Sequence, residues 1–131
     1  MHTRIYSFLE KYELLYSLQF GFRTQYSTTH ALIHMTETIR AALDSGQVTC
    51  GIFVDFQKAF DTVNHEILLS KLEHYGFRGV INDWFRSYLT DRKQKVVING
   101  FESKNKIMNH GVPQGSVLRL ILFLIYIFFC V

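Results

Sequence analysis

Apolar residues recur at helical spacing at the start of the chain. Ile5, Phe8, Leu9, Tyr12, Leu15 and Tyr16 share one face and predict a helix over residues 4–16. The stretch "QFGFRTQYST" breaks that period and reads as a loop. Ser27 or Thr28 can cap the next helix, in which Leu32, Met35, Ile39, Ala42 and Leu43 line one side. Gly46 suits the left-handed residue that closes it. Residues 48–55 lose the helical period; they are short, apolar and β-rich, and predict a buried strand ending on a carboxylate, Asp55. Asn64 can cap a helix running through Tyr75, with Leu68, Leu69 and Leu72 inward and Gly76 as its stop. Ile81, Trp84, Phe85, Tyr88 and Leu89 predict a further short helix. In "KVVINGFES", Asn99-Gly100 lies between strand-like residues, a two-residue hairpin turn. "NHGVPQGS" is a glycine-rich loop, and Ser116 can cap the last apolar segment. The order is helix, helix, strand, helix, helix, hairpin, loop, helix, which is α+β rather than regular βαβ alternation.

That last segment, "LILFLIYIFFCV", is an unbroken apolar run over residues 120–131. A membrane span needs about 20 such residues, so a buried helix or strand is the expectation. A run apolar on every side also needs cover. A membrane-associated or aggregating tail over residues 117–131 is therefore a competing reading.

Composition narrows the class. A chain of 131 residues with 48% hydrophobic and 19% charged residues is not a disordered one. A net charge of +3 is compatible with nucleic acid without demanding it. Cys50 and Cys130 form neither a C-x-x-C pair nor a disulfide framework, and read as two reduced thiols. The N-terminal "MHTRIYSFLEKYE" has no apolar core of a signal peptide, so an intracellular location, nuclear or cytoplasmic, is expected.

Candidate chemistry centres on Asp55. A buried carboxylate is costly unless paired, hydrogen-bonded or bound to metal. At a strand end it is either a turn-capping residue or a metal ligand; magnesium takes oxygen ligands, commonly one or two carboxylates with substrate phosphates. Asp61 on its own is a turn or N-cap residue. His30 and His34 lie four apart, but no Glu or third ligand accompanies them, so they read as surface histidines. Arg92, Lys93 and Lys95 can meet phosphates or form an ordinary charged strand end. There is no Walker loop and no dinucleotide fingerprint.

The chain also carries motifs in a recognisable order. "QFGFRTQYSTTHAL", "FVDFQKAFDTVNHEILLSKLEHYGFRG", "WFRSYLTDRKQKVVING" and "GVPQGSVL" together resemble the fingers motif, the first catalytic motif, the linking segment and the proline-glutamine-glycine loop of reverse transcriptases from non-LTR (LINE-type) retrotransposons. The resemblance covers nearly the whole chain. It implies a partial fingers-and-palm fold, with about 1–47 on the fingers side and about 48–131 as partial palm. It implies RNA-directed DNA synthesis on an RNA template and DNA primer, from deoxynucleotides, with magnesium in a two-metal mechanism. By the same resemblance Asp55 is the first metal-binding aspartate and Phe56 lends its backbone carbonyl. Phe60 is the bulky residue that excludes a ribose 2′-hydroxyl, its alternative being core packing. Gln114 and Gly115 meet the incoming nucleotide, and Arg23 meets nucleic acid, its alternative being a solvated loop arginine.

The sequence departs from the family in places. The tyrosine-x-aspartate-aspartate motif, which supplies the second catalytic carboxylate, is absent from these residues. Arg119-Leu120 stand where family members usually read glycine-proline. The thumb and the early arginine-proline fingers motif are not here. The expectation is a truncated reverse transcriptase domain without polymerase activity on its own. The alternative is a residual RNA- or DNA-binding module without catalysis.

Overall fold

The computed structural model describes residues 1–128, so Cys130 lies outside the described residues. The chain forms two compact units. The larger combines Met1–Leu14 with Lys58 onward, and the smaller is Leu15–Gln57.

In the larger unit, α1 (His2–Lys11) buries Ile5 and Leu9. The helix predicted to residue 16 stops at Lys11. The Leu14 N–H returns to the Leu9 carbonyl (2.8 Å) and Glu13 takes a left-handed φ of 52°. That closure satisfies the terminal carbonyls, and it turns the chain before the apolar period of Tyr12, Leu15 and Tyr16 can continue.

α3 (His65–His74) is the central helix and packs on both α4 (Val80–Leu89) and α5 (Arg119–Phe128). Asn64 caps α3 as predicted, its Oδ1 accepting from the Ile67 N–H at 3.1 Å. Leu68, Leu69 and Leu72 from α3 meet Phe85 and Leu89 from α4 in the core. The described part of the apolar tail is packed into the core. In α5, Ile121, Leu122, Phe123, Leu124 and Ile125 are buried. Each such side chain contributes about 1.5–3 kcal/mol. Lys71 of α3 reaches across to donate to the Tyr126 carbonyl. No described helix is long and apolar enough to cross a membrane. Ser116 does not cap α5 directly; its Oγ accepts from Leu118 N–H, and its carbonyl accepts from Arg119 N–H.

Between α4 and α5 runs a stepped hairpin. β1 (Arg92–Gln94) pairs with β4 (Lys106–Met108), and β2 (Val97–Ile98) with β3 (Phe101–Glu102), both antiparallel. Asn99 and Gly100 take φ of 49° and 82°, the two left-handed positions of the predicted turn.

The smaller unit holds α2 (Thr28–Asp44). Ser27 caps it: its Oγ accepts from His30 N–H, and its own N–H donates to His30 Nδ1 at 3.1 Å. Gly46 takes a φ of 69° at the other end, as the sequence requires. No residue of α2 is buried. The strand predicted over residues 48–55 does not form. Ile52, Phe53 and Val54 are 86%, 87% and 71% exposed. A strand needs a partner for its backbone, and the described strands pair only with one another, in two separate two-stranded sheets. Its local propensity is therefore unspent.

Candidate functional site

The sequence brings two distant loops together in the larger unit. The segment after Lys58 turns through Asp61, whose N–H donates to the Lys58 carbonyl (2.9 Å). The glycine-rich loop then lies along it. Gly111 N–H donates to the Val63 carbonyl at 2.7 Å, and Val112 N–H to the Phe60 carbonyl at 3.0 Å. Buried His65 holds the Gly111 carbonyl through Nε2 at 2.8 Å, which requires the tautomer protonated there. Gly111 has to be glycine. Its φ is 88°, and a Cβ would stand 3.0 Å from the Asp61 carbonyl oxygen.

This seam makes one wall of a cleft of about 230 Å³. Arg92, Lys93 and Gln94 of β1 line it, facing Asp61, His110 and Gln114. The cleft is part polar and part apolar, with Met108, Val112 and Pro113 in its lining. Its two cations against the one carboxylate of Asp61 make a setting for phosphate oxygens and for the hydrogen-bonding edge of a base. Gly115 beside it has a φ of 78° with open space where a Cβ would be.

Phe60 sits at the root of the seam. Its ring centroid is 4.4 Å from that of Phe123, and the Arg119 guanidinium lies 4.1 Å over its face. The ring is half-buried and held from two sides.

The family model for reverse transcriptase (RNA-dependent DNA polymerase) matches residues 1–128. The chain belongs to that family. It is 34% identical over 95% of its length to a probable RNA-directed DNA polymerase from transposon BS of Drosophila melanogaster. It is 35% identical over 82% of its length to the RNA-directed DNA polymerase from mobile element jockey of the same fly. It is 33% identical over 95% of its length to a probable RNA-directed DNA polymerase from its transposon X-element. The resemblance to non-LTR retrotransposon reverse transcriptases therefore stands. The chain spans 14%, 12% and 14% of those three relatives. No solved structure gives a significant match.

Within this reverse transcriptase segment, Phe60, Arg92, Lys93, Gln114 and Gly115 all belong to the larger unit, and Arg92, Lys93 and Gln114 share the cleft. Lys95 turns elsewhere and pairs with Glu102 at 2.7 Å, both side chains about half exposed. Such an exposed pair is worth at most about 1 kcal/mol. Arg23 belongs to the smaller unit, where it donates to the Tyr16 carbonyl (3.2 Å) and covers the Tyr26 ring at 4.3 Å. Asp55 and Phe56 also belong to the smaller unit and are exposed on the segment without regular structure. His30 is engaged in the Ser27 cap, and among the described residues no three His, Cys, Asp or Glu side chains gather as metal ligands. For a magnesium ion the resemblance offers one carboxylate there, Asp55, on an exposed segment without regular secondary structure. One carboxylate is an incomplete donor set for two such ions, each of which takes one or two carboxylates with substrate phosphates. His65, His110 and Gly111 were not singled out by the sequence. The signal for Gly111 was its place at the head of "GVPQG", where a chain that must approach another closely needs no side chain.

Proposed function

We propose that this chain is the nucleotide- and template-facing part of the reverse transcriptase domain of a non-LTR retrotransposon, whose intact protein performs RNA-templated DNA synthesis. The fold in this reading is a partial fingers and palm. The observation that carries it is the cleft beside the Gly111 seam, which Gln114, Arg92 and Lys93 line together.

The residues have separate tasks. Arg92 and Lys93 neutralise phosphates of the template or primer strand. Gln114 offers both a donor and an acceptor to a nucleotide base, and Gly115 leaves its backbone open to close approach. Phe60, braced by Phe123 and Arg119, is a rigid apolar surface against which a ribose bearing a 2′-hydroxyl would lose hydration without a partner. Asp55 is the metal ligand in this reading, with the Phe56 carbonyl beside it. Magnesium in the intact protein would activate the primer hydroxyl, but the described residues do not assemble its site. The tyrosine-x-aspartate-aspartate motif is not among these residues, so the reading expects no polymerase activity from them alone. An intracellular location goes with this reading.

The test is binding of an RNA/DNA primer–template hybrid across a salt series. Affinity should fall with salt, and the Arg92→Ala/Lys93→Ala variant should flatten the log–log slope by about 0.7–0.9 per lost phosphate contact. Affinity indifferent to both salt and the double variant overturns the assignment. Primer extension with magnesium separates catalysis from binding: extension that disappears in Asp55→Ala would mean that the chain carries a working centre by itself.

A further inference from the structure

Helix α4 carries a row of rings at the edge of the core, with Trp84 lying edge-on against buried Phe85, centroids 5.3 Å apart. Phe85 and Leu89 fill its inward positions and are fully buried. Trp84 is 39% exposed, and its ring lies parallel to that of Tyr88, with centroids 5.2 Å apart and an interplanar angle of 10°. Tyr88 is pinned in turn, its hydroxyl bonded to Ser116 Oγ and its ring 5.6 Å from the Arg92 guanidinium. Trp84, Tyr88 and Arg92 thus form a continuous ladder, four residues per step, which leaves the helix and enters the cleft at Arg92. The carboxylates nearby, Asp83 and Asp91, line a separate shallow depression with Arg86, Ser87 and Thr90.

We propose that Trp84 is a stacking platform for an unpaired base of single-stranded nucleic acid whose phosphates run to Arg92 and Lys93. The inference rests on the reading of the cleft as a nucleic-acid site. Single-strand sites combine cations that track the backbone with aromatic faces on which bases stack. A partly exposed indole already held by a second ring loses little rotamer freedom when a base lands on it. Inside a duplex the bases already stack on each other, and only the two end pairs leave a face open.

Trp84 is the only tryptophan, so intrinsic fluorescence reports on this position alone. The full chain is titrated with an oligouridylate single strand, following tryptophan emission and, with a labelled strand, anisotropy. Saturable quenching is expected, with the same affinity by both readouts. Trp84→Ala should weaken anisotropy-detected binding roughly fivefold to a hundredfold, the range for one stacked base. Trp84→Phe should retain most of it, and circular dichroism of both variants checks that α4 survives. Arg92→Ala/Lys93→Ala should lower affinity by both readouts. A strand that binds by anisotropy with neither quenching nor sensitivity to Trp84→Ala overturns the platform and leaves the cleft reading intact. Equal quenching by a blunt RNA/DNA hybrid also overturns it, since no unpaired base is then involved. No binding by either readout sinks the platform and the cleft together.

Discussion

Tyr75, at the end of α3, has its ring buried, and that burial pushes the phenol from 10.0 up to about 12. Desolvation disfavours the phenolate, so the folded state holds the proton more tightly than the unfolded one. The sign follows. The stabilisation is fully present below about pH 10, the unfolded value, and is lost as pH rises through that value towards about 12. Urea denaturation across an alkaline series should show stability falling through that window. Tyr75→Phe should flatten the fall. A Tyr75→Phe chain that weakens just as steeply would assign the loss to other groups. Phe60 shows a different effect of surroundings on one residue. Its sequence position served core packing and nucleotide contact equally well, and Phe123 with Arg119 makes it a fixed, half-exposed surface.

At the scale of elements, what could be read from the sequence was what neighbours decide. Ser27 and Asn64 cap helices through residues three positions on, and Asn99-Gly100 sets its own turn. These signals involve few residues and short loops, so pattern suffices. The strand at residues 48–55 failed for the opposite reason: β-propensity describes fit to a neighbour, and no described strand pairs with it. The cleft was legible in part. Gln114, Arg92 and Lys93 could be named, but their meeting depends on the Gly111 seam, which spans distant sequence. That seam carries the next prediction. Gly111→Ala places a Cβ against the Asp61 backbone at a left-handed φ. It should cost about 1–3 kcal/mol in chemical denaturation and weaken hybrid binding with it. Unchanged stability would mean that the two loops separate freely.

At the scale of the whole chain, apolar surface is distributed unevenly. The larger unit buries its tail helix, whereas the smaller leaves Ile52, Phe53 and Val54 exposed, along with Leu32 and Leu43 of α2. A short apolar, β-prone segment with open backbone invites pairing with another chain. Sedimentation should show concentration-dependent association, reduced by the charged pair Ile52→Lys/Val54→Lys. Removing the tail from Arg119 onward should worsen solubility, because α5 is part of the larger unit's core. Relief of association by tail removal, with the lysine pair ineffective, would place the sticky surface in α5 instead.

The Gly111 seam has a consequence for how the molecule comes apart. His65 and Gly111 are 46 positions apart, and their contact joins the start of the central helix to the loop before α5. Closing so long a loop is rewarded only once both helices have docked. The amide protons of Gly111 and Val112, donated to Val63 and Phe60, are then shielded from solvent exchange only while that docking lasts. Exchange at these two amides is therefore expected to follow the opening of the α3–α5 core, and faster exchange than the core amides of α3 would mean that the cleft opens by itself.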